Sequence, residues 1–313
     1  MLEPVYDIAN CGPRRRFVAN GRLVHNSNFQ NFKKPDPDFS KDQQLNIRDA
    51  ILPPEGYLLV KPDLSQIELR ILSYVAGQWD VLDRLRNGED QYAATASAFY
   101  GYAVNKKDHP VERQGGKIWE LMGGYGAGGV RYVVTTRVQS RSRIILTPED
   151  GVKARDAYRH THPAVVDLWK QGGRMLARLA GGNPTDWGPT HIRDGNIYLP
   201  NGCPLKYQTL EYFKDPEGGD GYWRLKTRHG WTKMYGAKLV ENLIQALARV
   251  VISQALIRIV KLGYRIVGME HDSLWILIPK DGHEAQHLRV CLDEMKREPP
   301  WLPGIPLDAE WAG

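Results

Sequence analysis

Cysteine is scarce. Cys11, Cys203 and Cys291 are the only three in 313 residues, with no CxxC pair and no histidine at zinc-like spacing, so neither a disulfide framework nor a structural zinc site is encoded. Long hydrophobic runs are missing too. Uncharged apolar stretches such as Leu274 to Ile278 fall far short of the roughly 20 residues that a membrane span needs, and no charged-then-apolar leader opens the chain. A cytoplasmic protein with no membrane partner is expected. Repeats and low-complexity tracts are also missing, and a composition of 42% hydrophobic and 25% charged residues is that of a globular chain long enough for two domains.

What is present in excess is positive charge. The net charge is +6, and between Gly101 and Arg143 eight Lys or Arg residues face three acids, a local +5. Clustered Lys and Arg gain by releasing counterions from nucleic-acid phosphates, which makes a polyanion the first candidate partner. On charge alone, a solvated basic face is the alternative.

The first 26 residues are short, Arg-rich and strand-like, and a polar, Pro-containing connection follows at 33–42. The main body starts at Gly56. Tyr57 to Val60 fits a buried strand running into Asp63, after which Ile67, Leu69, Ile71, Leu72 and Val75 fall at helical spacing. Pro110 opens a helix that Gly123-Gly124 closes, with Arg113, Lys117 and Leu121 one turn apart. Thr147 caps a helical region that Pro163 interrupts and Gly181-Gly182 ends. Ile192 to Tyr207 and Tyr222 to Met234 read as paired strands with turns at Asn201-Gly202 and Gly218-Gly219. Lys238 to Leu262 is the clearest helix, with Asn242, Gln245 and Arg249 as a polar stripe. Tyr264 to Met269 and Leu274 to Ile278 flank Glu270-His271-Asp272-Ser273, a hairpin with an acid at its tip.

Asp63 and Asp272 are the candidate metal ligands. Two aspartates at strand ends suit a pair of divalent cations about 3.5–4 Å apart, the arrangement used for in-line nucleotidyl transfer. Mg²⁺ keeps waters and is completed by substrate phosphates, so two protein carboxylates suffice. An Asp at a strand end is by itself most often a turn former, and the surroundings carry the signal.

Those surroundings resemble family A (DNA polymerase I-like) DNA polymerases. Asp63-Leu64-Ser65-Gln66-Ile67-Glu68-Leu69-Arg70 is similar to the family's first palm motif, Arg113, Lys117 and Tyr125-Gly126 to its fingers helix, and His271-Asp272 to its third motif. The order and spacing agree, over about Asn28 to the C-terminus. The strings at 108–113 and 199–205 are similar to phage-encoded members. The resemblance implies that Asp63, Asp272 and the backbone carbonyl of Leu64 hold two Mg²⁺ ions, with Mn²⁺ as a substitute. It implies that Arg113 and Lys117 grip the triphosphate, Lys117 also acting as proton donor to pyrophosphate. Tyr125 would stack at the templating position, and Glu68 would be the gate that excludes a ribose 2′-hydroxyl. Gln66, Ile67 and Leu121 would complete the nucleotide pocket, while Asn242, Gln245, Arg249 and His271 would follow primer and template. Asn28, Gln30 and Asn31 would contact the template side.

Some positions depart from the family pattern. Ser273 stands where a Glu is usual, leaving Glu270 or Glu310 to supply any acid there; Leu121 replaces an aromatic residue, and Asp90-Gln91-Tyr92 replaces Asp-Ile-His.

Val5-Tyr6-Asp7-Ile8, Phe17 to Gly21 and Val24-His25-Asn26-Ser27 resemble the last two blocks of an intein. Ser27 offers a hydroxyl to accept an acyl chain, Asn26 can cyclise through its side-chain amide and cut the chain, and His25 polarises the carbonyl that it attacks. Asp7 would assist, and Arg15 stands where many inteins have His.

The expectation is an α+β chain in two parts. Residues 1–26 are a small β-rich intein C-terminal fragment, and residues 27–313 are a polymerase palm (about 27–85 and 190–313) with helical fingers (about 86–189). It would act as the C-terminal half of a split DNA polymerase, joined by trans-splicing to an N-terminal half that carries the intein N-fragment. Its other partners would be primer-template DNA and deoxynucleoside triphosphates, in the cytoplasm of a bacterial host if phage-encoded. A single-subunit RNA polymerase and a non-catalytic DNA-binding replisome subunit are the alternatives.

Overall fold

The apolar run 274–278 becomes the middle of a sheet, and the polar turn before it becomes that sheet's tip. The computed structural model of the chain describes residues 16–19, 22–25, 52–214 and 218–311, the first two segments by backbone only. In chain order the elements are β1 (Arg16–Ala19), β2 (Arg22–His25), β3 (Tyr57–Val60), β4 (Asp63–Leu64), α1 (Ile67–Ala76), α2 (Trp79–Arg86), α3 (Gln91–Tyr100), α4 (Pro110–Gly123) and α5 (Gly129–Gln139). There follow α6 (Pro148–Thr161), α7 (Pro163–Ala180), β5 (Thr185–Trp187), β6 (Thr190–Arg193), β7 (Asn196–Tyr198), β8 (Pro204–Lys206), β9 (Leu210–Phe213), β10 (Tyr222–Thr227) and β11 (Gly230–Met234). Last come α8 (Gly236–Lys261), β12 (Arg265–Glu270), β13 (Ser273–Pro279), α9 (Glu284–Lys296) and β14 (Ala309–Glu310). The class is α+β, as expected.

Two units divide the chain. The first comprises Met1–Ser65, Ile252–Arg297 and Leu307–Gly313, and the second Gln66–Val251 with Glu298–Pro306. In the first, β1 and β2 pair antiparallel, and a separate five-stranded sheet runs β12-β13-β4-β14, with β3 also on β13. Ser273 to Ile278 of β13 are all buried, which explains why this strand reads as a continuous apolar run rather than an alternating one. Helix α9 packs on β13 and β14. Its Cys291 is fully buried, and burial pushes the thiol up to about 12, so this cysteine is an inert core residue.

The second unit holds α1 to α7 and two small antiparallel sheets, β5-β6-β7-β8 and β11-β10-β9. The N-cap expected at Thr147 is present, and it forms a full capping box, Thr147 and Asp150 each bonding the other's backbone N–H. Helix α4 approaches α3 at backbone distance because Gly116 has no side chain; a Cβ there would lie 2.0 Å from the Tyr92 carbonyl oxygen. Gly236 plays the same part where α8 begins, since a Cβ there would stand 1.9 Å from the Trp169 carbonyl.

One expectation needs correction. Helix α8 is long and apolar enough to cross a membrane by length and composition, with a mean hydropathy of 1.7 over an 18-residue window. The scattered polar stripe hid this in the search for unbroken apolar runs. Leu239, Val240, Leu243, Ile244 and Leu247 are all fully buried inside the protein, whereas Ile257 and Val260 near the C-terminal end are about half exposed, so the first half of the helix buries its apolar face in the core.

At the junction of α6 and α7, His162 and Glu120 form a buried pair 3.1 Å apart, with the Gln91 and Thr95 side chains donating to Glu120. Burial is the largest influence on His162 and disfavours its charge, but the Glu120 carboxylate, aided by the Tyr158 carbonyl, outweighs it and raises the imidazole above its ordinary 6.5. A raised folded-state value means that the pair's stabilisation is complete below about pH 6.5 and is lost as pH rises through the raised value. Melting curves of the wild type should therefore fall with rising pH in this window. Glu120→Gln should flatten or reverse that slope, because burial is then opposed only by the Tyr158 carbonyl and Asp80; parallel curves would show that the pair carries no charge.

Candidate active site

In the first unit, register decides the arrangement. Glu270 pairs with Ser273, Ser273 with Asp63, and Asp63 with Glu310, so these four residues form one row across a single face of the sheet. Asp272 precedes Ser273 in the two-residue turn, and Leu64 donates its N–H to the Asp272 carbonyl at 3.0 Å. This bond ties the end of β4 to the Asp272 tip through the Leu64 N–H. Asp63 and Asp272 are both half-buried. The turn residue before Asp272, His271, is exposed and holds a left-handed φ of 53°, a conformation that a non-glycine residue keeps only when its surroundings enforce it.

The row also separates the two acids proposed to replace the usual Glu at Ser273. Glu270 is buried and bound to Lys61 at 2.6 Å, whereas Glu310 is exposed directly across from Asp63. Among the described residues, no group of three or more His, Cys, Asp or Glu is gathered as a metal site. Asp63 and Asp272, whose segments the Asp63–Ser273 pairing brings together, offer the hard oxygen donors that suit Mg²⁺ when substrate phosphates and water complete the shell.

The remaining described candidates lie mainly in the second unit. Gln66 caps α1 in the left-handed conformation (φ 55°), and its side-chain oxygen is buried without a hydrogen-bond partner. Ile67 is buried. Glu68, in the first turn of α1, accepts a 2.6 Å hydrogen bond from the Tyr125 hydroxyl. Burial, then the Glu68 charge, push the Tyr125 phenol far up, so it remains a donor. Arg113 and Lys117 share one face of α4 with Leu121, and both cations stand near the Tyr92 ring, at 5.4 and 5.8 Å. Lys117 and Leu121 are exposed. Arg113 is paired with Asp90, which also caps α3 through the Ala93 N–H. On α8, Gln245 and Arg249 are exposed, while Asn242 is half-buried and donates to the Tyr207 hydroxyl at 2.9 Å.

His25, Asn26, Ser27, Asn28, Gln30 and Asn31, with Asp7 and Arg15, lie outside the residues whose side chains are described. Sequence reasoning missed Lys61 as the partner of Glu270, and Asp90 and Tyr92 as the supports of Arg113. The first pair is separated by 209 residues and leaves no local signal; Asp90-Gln91-Tyr92 was legible only as a departure from a familiar string.

The family sequence model described as DNA polymerase family A matches residues 14–171, just over half of the chain. This chain belongs to DNA polymerase family A. The match includes Asp63, Glu68, Arg113, Lys117 and Tyr125. The DNA polymerase of Bacillus phage SP02 is 28% identical over 284 residues, 84% of this chain and 42% of that protein. The thermostable DNA polymerase I of Thermus thermophilus is 26% identical over 295 residues, 94% of this chain and 30% of that one. Among solved structures, the POL domain of Pol1 from M. smegmatis, in complex with DNA primer-template and dNTP, aligns with a TM-score of 0.62 at 19% identity. That alignment covers 93% of this chain and 45% of the other. This family A chain thus spans less than half the length of these relatives, and the structural likeness is one of fold.

The Lys61–Glu270 pair gives a direct check on the row beside Asp63. Lys61→Ala leaves a buried carboxylate without its cation and should cost about 3 kcal/mol in chemical denaturation. A loss under about 0.5 kcal/mol, the size of an exposed pair, would show that Glu270 is solvated.

Proposed function

We propose that the chain carries the nucleotide-incorporating part of a DNA-directed DNA polymerase, with primer-template DNA and deoxynucleoside triphosphates as substrates. The observation that carries this reading is the pairing of Asp63 with Ser273, next to Asp272, and the Leu64 N–H bond to the Asp272 carbonyl, which bring the two aspartate-bearing segments together. Mg²⁺, or Mn²⁺ in its place, held by Asp63, Asp272 and the Leu64 carbonyl, supplies Lewis-acid activation of the primer 3′-hydroxyl and neutralises triphosphate charge when bound. Glu310, across from Asp63, takes the part of the acid that Ser273 lacks. Arg113 and Lys117 bind the triphosphate, Lys117 delivering a proton to pyrophosphate as it leaves. Tyr125 fixes Glu68 by hydrogen bond, which suits a side chain that must block a 2′-hydroxyl by position. Gln66, Ile67 and Leu121 complete the nucleotide pocket. Asn242, Gln245, Arg249 and His271 take primer and template, with Asn28, Gln30 and Asn31 on the template side, where contacts to the minor groove are nearly sequence-blind. In this reading the palm is about 27–85 and 190–313, the fingers are about 86–189, and the protein works in the cytoplasm of a bacterial host.

Primer extension by the purified chain, with and without its N-terminal partner half, tests the reading. Asp63→Asn and Asp272→Asn should each lower extension by on the order of 10³-fold, as befits loss of several kcal/mol of charge stabilisation, with primer-template affinity kept within a few-fold. Equal use of ribonucleotides would point to the RNA polymerase alternative. A wild type that binds primer-template and never extends it would point to the binding-subunit alternative.

For residues 1–26 the proposal is an intein C-terminal fragment, with Ser27 as acyl acceptor, Asn26 as the cyclising residue and His25 as its helper. It rests on the order of the residue types in this segment. The family match beginning at residue 14 favours a second reading, in which 14–26 is polymerase sequence. Intact-mass measurement after mixing with a half that carries the intein N-fragment decides between them. Splicing yields a joined species lacking residues 1–26, which Asn26→Ala abolishes; an unchanged mass in a mixture that still polymerises supports the second reading.

A further inference from the structure

The sheet β9-β10-β11 has no part in the site described above, and its two faces differ sharply. Register places Tyr212, Trp223 and Met234 in one row, with Leu210, Leu225 and Thr232 beside them; on this face Leu210 and Met234 are buried, Trp223 and Leu225 half-buried, and Tyr212 and Thr232 exposed. The opposite face alternates rings and cations. Phe213 pairs with Tyr222, Arg224 with Lys233, and Lys226 with Trp231. The Arg224 guanidinium lies 4.1 Å from the Phe213 ring centre and 4.2 Å from that of Trp231, and the Lys233 ammonium 5.0 Å from Tyr222. Arg224 is further held by Glu211 at 2.7 Å. Trp231 nevertheless stays 47% exposed, and Lys226 and Lys233 are exposed. β10 and β11 with their turn, Tyr222 to Tyr235, carry four Lys or Arg residues and no acid, while the acids of this stretch, Glu211, Asp215, Glu217 and Asp220, lie in β9 and the connection after it.

An exposed indole steadied by a guanidinium, with lysines on either side, is poorly matched to water and well matched to a polyanion that also presents flat apolar faces. Unpaired bases do so and stacked base pairs do not, because the π-face of a base is free only outside the duplex. We infer that the outer face of β9-β10-β11 binds single-stranded DNA, Trp231 stacking on a base while Lys226 and Lys233 neutralise phosphates. The choice of DNA rests on the polymerase reading; the choice of a single strand rests on this sheet.

Fluorescence anisotropy of the full chain with oligothymidylate and with a blunt duplex, at several salt concentrations, tests this. Trp231→Ala should weaken oligothymidylate binding by about 5- to 100-fold and duplex binding by less than about 2-fold, while Trp231→Phe, which keeps a ring, should restore most of the loss. The double variant Lys226→Ala with Lys233→Ala should lower the salt slope on the single strand by about 1.4, about 0.7 for each phosphate contact removed. No measurable oligothymidylate binding by the wild type, variants indistinguishable from it, or equal losses on single strand and duplex would overturn the inference. Primer extension by the same proteins separates the two ideas. Extension with an inert Trp231 removes only the sheet's role, whereas Trp231-dependent binding in a chain that never extends primers removes only the polymerase reading.

Discussion

The pairing of β13 with two successive strands, β3 and β4, is the constraint on which the candidate site depends. Val60 to Tyr57 run antiparallel to Ile276 to Pro279, Pro62 accepts from the Leu274 N–H, and Asp63 then meets Ser273. A strand's side chains alternate faces, so a slip of one residue would turn Asp63 to the other side of the sheet. Burial holds the strands together, Leu274 to Ile278 being 0–5% exposed and Val60 fully buried, while the backbone bonds Leu274 N–H to Pro62 and Leu64 N–H to Asp272 mark the register. The site's geometry is thus secured by hydrophobic burial and backbone bonds within a few residues of its carboxylates.

The second unit holds its charged groups by a different device. Gly116 lets α4 approach α3 closely enough for Arg113 to reach Asp90 and for both Arg113 and Lys117 to stand near Tyr92. Lys117 stays exposed beside the Tyr92 ring, while Arg113 is held in place by its ion pair with Asp90. Glu68 is treated alike, its carboxylate tethered by a buried phenol. Against this order stand Gln66 and His271, two non-glycine residues in left-handed conformations, one just after Asp63 and one just before Asp272. Arg141, Ser142 and Asp194, in turns elsewhere, share this conformation, so the left-handed backbone marks tight turns in general and the two candidate aspartate segments among them.

Periodicity and punctuation made much of the architecture legible in advance. The Pro110 and Gly123 boundaries of α4, the capping box at Thr147, the Pro163 break and the β12-β13 hairpin all follow from local rules that a few neighbouring residues obey. Asp63, Glu68, Arg113, Lys117, Tyr125 and Asp272 were named from motifs, each of which lies within a dozen residues of chain. Less legible was the hydropathy of α8, whose polar residues interrupt every apolar run although its buried face is continuous, and the Arg228-His229 turn of β10-β11, which carries neither of the usual Asn-Gly or Asp-Gly signals.

By itself, the sequence determined the element types, the family, and which carboxylates and cations to watch, because each depends on residue chemistry and short-range spacing. Only the tertiary structure decided which acid stands beside Asp63. Glu270 and Glu310 are equally good candidates in one dimension, yet Lys61 neutralises the first while antiparallel register sets the second across from Asp63. It alone also sorted β9-β10-β11 into a face that includes the buried Leu210 and Met234 and a face that alternates rings and cations. These are contacts between residues far apart in the chain, and their energies come from burial and charge pairing that no local pattern encodes.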